Sequence, residues 1–107
     1  MCEHLIKLRE RGMRIIAKSR LMALAAAHGD CIGQLAAWYT IANKATWHNL
    51  SEVRQTFPHA DPVGDKTVFN IKGNAYRLIV YIRCDLGIIY IKDLLTHAEY
   101  NKGAWKA

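Results

Sequence analysis

Residues 66–83 read Lys66-Thr67-Val68-Phe69-Asn70-Ile71-Lys72-Gly73-Asn74-Ala75-Tyr76-Arg77-Leu78-Ile79-Val80-Tyr81-Ile82-Arg83, and the fold turns on them. Two runs rich in β-branched and aromatic residues flank Gly73-Asn74, a pair that tolerates positive φ, which is the pattern of a tight β-hairpin. With Gly73 and Asn74 at the centre of the turn, Lys72 faces Ala75, Asn70 faces Arg77, Val68 faces Ile79 and Lys66 faces Tyr81. Directly opposed residues share a face of a sheet. One face therefore carries Lys66, Asn70, Lys72, Arg77, Tyr81 and Arg83, and the other carries Thr67, Phe69, Ile71, Tyr76, Leu78, Val80 and Ile82. A slip of one residue would exchange the two faces.

Working outward, Asp85-Leu86-Gly87 marks a second turn and Ile88 to Leu95 a third strand. Placing Ile89 and Ile91 on the apolar face puts Tyr90 and Lys92 on the basic one. Upstream, residues 19–57 read as helical, and the change to strands falls near Pro58 and Pro62. Met13 to Ala17 is a short apolar piece that reads as a strand. Ser19 and Asp30 are N-cap candidates, and Gly29 is a stop between two helices. Leu35, Trp38, Tyr39 and Ala42 form a stripe at helical spacing, which reads as a face packed on the sheet. Ser51 and Glu52 open a short third helix that Pro58 ends. The expectation is an α+β fold in one domain over residues 1–107, with N-terminal helices packed on one face of a small antiparallel sheet.

The chain has 107 residues, of which 51% are apolar, enough for one core and too many for a disordered tail. No apolar run reaches the roughly 20 residues of a membrane span, and the opening residues lack the apolar stretch of a signal peptide. A cytoplasmic protein with no membrane partner is expected. Cys2, Cys31 and Cys84 are scattered, as are His4, His28, His48, His59 and His97, so neither a disulfide framework nor a metal site is expected. The net charge of +6 attracts polyanions, although a basic surface also serves solubility alone. A sheet face that mixes lysine, arginine and tyrosine suits RNA, because cations meet phosphates and rings stack on unpaired bases. The plain alternative is an ordinary solvated face.

The run from Val68 through Val80 closely resembles the central hairpin of HigB-type toxins, and Thr96-His97-Ala98-Glu99-Tyr100-Asn101-Lys102 resembles their closing segment. Met13-Arg14-Ile15-Ile16 and Ala37-Trp38-Tyr39 are similar to the same family's pattern, so the resemblance covers about residues 13–102. Residues 1–12 precede the family's usual start and stand apart as a candidate N-terminal extension, with Met13 a candidate initiator. Asn101 and Leu95 depart from the residues the family often has there.

The family belongs to the RelE-like (RelE/ParE) superfamily of type II toxin–antitoxin systems. The resemblance implies a RelE-like fold and a ribosome-dependent mRNA endonuclease. It also implies a helix-turn-helix antitoxin of HigA type as partner, with operator DNA reached only through that antitoxin. No cofactor is implied. The RNA 2′-hydroxyl is the nucleophile, so the protein needs a base, an acid and cations. Arg77 is the expected phosphate clamp, Lys72 a second cation, His97 the proton carrier and Tyr100 a stacking ring or weak acid. Asn70, Tyr81, Lys92 and Lys102 are expected RNA contacts. Each has a plainer alternative: Arg77 paired with Asp93 or Glu99, His97 a helix residue after a Thr96 cap, Tyr100 a core aromatic. At the level of function, the alternatives are a non-catalytic RNA- or ribosome-binding module and a co-repressor acting with its antitoxin.

Overall fold

The hairpin forms in the expected register, with Asn70 opposite Arg77 and Val68 opposite Ile79. The computed structural model describes residues 13–16, 18–73, 75–103 and 105. Asn74 and residues 1–12, the candidate extension, lie outside these described residues. The elements in chain order are β1 (Arg14–Ile16), α1 (Lys18–Ala27), a 3-10 turn (Gly29–Cys31), α2 (Ile32–Lys44), α3 (Leu50–Thr56), β2 (Asp61–Val63), β3 (Lys66–Ile71), β4 (Tyr76–Arg83), β5 (Ile88–Thr96) and α4 (His97–Lys102).

The sheet has the order β1-β5-β4-β3-β2. The helices carry the chain from the β1 edge to the β2 edge, and an antiparallel meander returns until β5 lies beside β1. Because β1 runs parallel to β5, the sheet is mixed and not purely antiparallel as expected. Strand β2 contains Pro62, which had marked the end of the helical region. Proline is tolerated there because β2 is an edge strand.

The apolar face of the hairpin meets the helices as expected. Leu21, Ala25, Leu35, Trp38 and Ala42 share one buried cluster with Phe69, Leu78, Val80, Ile89, Ile91 and Leu94. Aromatic rings fill its centre: Phe69 meets Trp38 edge-on at 5.4 Å and Phe57 at 5.1 Å between centroids. A bulge in β5 changes the alternation. Val80 faces Ile91 and Ile79 faces Asp93, so Lys92 is the extra residue. Its carbonyl accepts a 2.9 Å hydrogen bond from Arg20 Nε on α1. Beyond the bulge Leu94 pairs with Leu78 and is buried, whereas unbroken alternation would have put it on the basic face.

Three helix-end readings are corrected. Helix α1 already includes Lys18, one residue before Ser19. Asp30 lies within the 3-10 turn, and Cys31 precedes α2 without a side-chain cap. The cap of α3 is Asn49, whose side chain accepts from Glu52 N, so the helix starts ahead of Ser51.

Asp30 instead ties the helical layer to the hairpin tip. Its carboxylate accepts a 2.6 Å bond from the Tyr76 hydroxyl and a 3.0 Å bond from Lys72 Nζ. Lys72 has φ 54°, a left-handed conformation rare outside glycine, and its ammonium reaches the helix side. It does not join the face of Asn70 and Arg77 as expected. The Tyr76 hydroxyl and then Lys72 hold the Asp30 carboxyl below its ordinary value, and the carboxylate pushes the Tyr76 phenol up to about 12.

Leu78→Ala, which opens a cavity at the centre of the sheet, should cost about 3 kcal/mol in urea denaturation. The Asp30 pKa is lower in the folded state, so its contribution is present above the ordinary carboxylate range and lost as pH falls through the folded value. Asp30→Asn should therefore lower the melting temperature near neutral pH, and the difference from wild type should shrink as the pH falls through the folded value of the carboxyl.

Candidate functional site

The second face of the sheet is not the open surface that the hairpin pattern suggested. Val68 and Ile79 lie on it and are each only 1% exposed. Their row separates two polar regions. One contains Asn70 and Arg77, with Leu95 of β5 beside Arg77; the other contains Tyr81 and its partner Tyr90.

The first region is a cleft of about 360 Å³. Val68, Asn70 and Arg77 line it from the sheet. Arg54, Pro58, His59, Ala60 and Asp61 line it from α3 and the segment into β2, and Tyr100 lines it from α4. A larger concavity of about 400 Å³ between α1 and α2 is lined mostly by apolar residues, among them Leu21, Met22, Ala25, Ile32 and Leu35. It holds few groups able to move protons or bind phosphate, whereas the smaller cleft has Arg54, His59, Asp61, Arg77 and Tyr100 in its walls.

Helix α4 brings two more side chains to this region. Thr96 and Glu99 form a capping box: Thr96 Oγ1 accepts from Glu99 N at 3.2 Å, and Glu99 Oε1 accepts from Thr96 N at 2.9 Å. The Thr96 amide, and after it the Thr96 side chain, hold the Glu99 carboxyl below its ordinary value. The His97 amide donates to the Ala75 carbonyl at 3.0 Å, which fixes the start of α4 against the hairpin tip. Gly103 ends the helix in the left-handed region at φ 76°. The chain then turns back, and the Trp105 ring stacks on Tyr100 at 4.9 Å while its Nε1 donates to the Tyr100 carbonyl.

Arg77, His97 and Tyr100 meet. Arg77 Nη2 lies 3.3 Å from His97 Nδ1, and the guanidinium carbon sits 5.4 Å from the Tyr100 ring centroid. A guanidinium has no lone pair to offer, so a hydrogen bond between the two requires Nδ1 as its acceptor. Arg77 Nη1 also donates to the Tyr76 carbonyl at 3.3 Å. Arg77 is partly buried and His97 is exposed, so a ligand entering the cleft can reach both.

The other expected site residues fall elsewhere, apart from Asn70, which faces Arg77 inside the cleft. Lys72 is held by Asp30. Tyr81 lies four residues along β4 from Arg77 and stacks on Tyr90. Lys92 occupies the bulge, and Lys102 is exposed in the last turn of α4; neither lines the cleft. Arg54, His59 and Asp61 were missed as site residues. They come from separate elements with no spacing signal, and His59 read only as a connecting residue. Among the described residues no group of three His, Cys, Asp or Glu side chains could hold a metal ion. No helix among them is long and apolar enough to cross a membrane.

A family model described as HigB_toxin, the RelE-like toxic component of a toxin-antitoxin system, matches residues 31–103. That span contains every residue lining the cleft, together with His97. No curated protein matches the chain.

Thr96→Ala removes the cap of the helix that carries His97 and Tyr100. The expected loss is about 1 kcal/mol in chemical denaturation. The His97 and Glu99 amides should exchange faster with solvent, while those of β3 and β4 keep their protection.

Proposed function

The chain belongs to the HigB toxin family of RelE-like toxic components of toxin–antitoxin systems, and on that premise we propose that it is an endoribonuclease that cuts messenger RNA on the ribosome. The observation that carries this reading is the convergence of Arg77, His97 and Tyr100 beside a polar cleft. A strand residue thereby meets residues from a helix about twenty positions later, and the three supply the groups that RNA cleavage needs.

The proposed sequence begins when the scissile phosphate enters the cleft and engages the planar fork of Arg77. The guanidinium then gives up its contact with His97 Nδ1, and the lone pair so released takes the proton of the 2′-hydroxyl. The 2′-oxygen forms a bond to phosphorus and the bond to the 5′-oxygen breaks, leaving a 2′,3′-cyclic phosphate. The leaving oxygen takes a proton from the Tyr100 hydroxyl or a water beside it. Arg77 stabilises the charge on the phosphoryl oxygens throughout. Asn70 is the proposed hydrogen-bonding contact to the RNA within the cleft. The antitoxin, a necessary counterpart in such a system, is proposed to be of helix-turn-helix type, with operator DNA reached only through it.

Induced expression of the wild-type chain should arrest growth and create new mRNA 5′ ends. Arg77→Ala and His97→Ala should each lower the cleavage rate by roughly 100- to 10,000-fold, with melting temperatures near wild type. Arg77→Lys should not restore activity, because an ammonium lacks the bidentate fork. Growth arrest without new mRNA ends would point instead to a non-catalytic ribosome-binding poison.

A further inference from the structure

Beyond the row of Val68, Ile79 and Asp93, in which Val68 and Ile79 are buried and Asp93 is partly exposed, the second face opens again. Tyr81 and Tyr90 are directly opposed on β4 and β5, and both are partly exposed. Their rings lie 6.0 Å apart and 23° from parallel, forming a double aromatic step. The next row joins Arg83 of β4 to Ile88 of β5 and Arg14 of β1. Arg83 is oriented by Asp85, with Nε–Oδ1 at 3.0 Å and Nη2–Oδ2 at 2.8 Å, and Arg14 is exposed. The two arginine positions stand about two strand spacings apart, roughly 10 Å. Four residues of β4 separate Tyr81 from Arg77, roughly 13 Å.

We infer that the Tyr81–Tyr90 pair is a second RNA subsite, on which an unpaired base of the strand leaving the cleft stacks while Arg14 and Arg83 face its phosphates. The inference rests on the proposed RNA substrate but not on cleavage of it. Its chemical basis is the combination of partly exposed rings and flanking guanidiniums on the cleft's side of the sheet, which is how single strands are held without reading their sequence. The packed core does not use this pair, since the apolar cluster under α1 and α2 excludes both tyrosines. A base within a duplex is stacked on its own neighbours, so this subsite requires RNA that is single-stranded from the cleft to the pair.

The test uses 2′-O-methyl RNA oligonucleotides, which have no 2′-hydroxyl to attack, from a dinucleotide to about six nucleotides. Fluorescence anisotropy gives the affinity at each length. The wild-type chain should bind the longer oligonucleotides more tightly than a dinucleotide. Tyr90→Ala and Tyr90→Leu should bind the longest about tenfold more weakly and the dinucleotide as wild type does, and Tyr90→Phe should match wild type throughout. Leucine preserves apolar bulk on the strand pair, so an equal loss in both variants assigns the effect to the ring and not to misfolding. The inference is overturned if wild-type affinity does not grow with length, or if Tyr90→Leu binds the longest oligonucleotide as wild type does. Length-dependent binding lost in Tyr90→Leu, together with absent mRNA cleavage by the wild-type chain, would overturn only the nuclease reading.

Discussion

Phe69, Leu78 and Leu94 form one row across β3, β4 and β5, and their burial beneath α1 and α2 sets the rest of the molecule. A strand presents alternate residues to opposite faces, so committing Leu78 to the core sends Arg77 to the other side. The neighbours follow. Asn70 is carried to Arg77 by the antiparallel partner strand, and Tyr81 lies two repeats further along the same face of β4. A register slip would bury the arginine and expose the leucines, at the cost of an unpaired charge in an apolar interior. Core packing thus holds the candidate site in place from behind.

Alternation alone would not complete the arrangement. The bulge at Lys92 advances β5 by one residue, so that Leu94 enters the core and Leu95 comes to lie beside Arg77. Without it, Leu94 would face away from the helices and the chain would reach Thr96 in the opposite phase. The bulge is tied to the helical layer by Arg20, which takes up the Lys92 carbonyl. The capping box at Thr96 and Glu99 then starts α4, and the His97 amide docks on the hairpin tip. His97 is exposed, yet its backbone is held, which suits a group that must meet a ligand in one orientation.

A second constraint acts at the hairpin tip. Asp30, Tyr76 and Lys72 join the 3-10 turn to the end of the hairpin, and the His28 ring lies 4.9 Å from that of Tyr76. Tyr76 precedes Arg77 and pairs with Thr96, so this tie lies directly behind the residues that hold the guanidinium and cap α4. The electrostatics agree from both ends: the carboxyl is pulled down and the phenol pushed up, as one charged hydrogen bond between them requires.

The residues themselves determined the hairpin and its register, the helical face of Leu35, Trp38 and Ala42, and the membership of Arg77 and Asn70 in one polar face. These follow from local periods of two and 3.6 residues and from turn chemistry, which are written along the chain. The motif around His97 and Tyr100 was legible as a family resemblance, but not as a contact with Arg77. Only the tertiary structure decided that Lys72 turns away to Asp30, that Lys92 is spent on a bulge, and that Arg54, His59 and Asp61 wall the cleft. Each of those outcomes depends on which distant elements share a side of the sheet and on one residue added to a strand. Such choices are made by the free energy of the whole packed core, and no local pattern of residues records them.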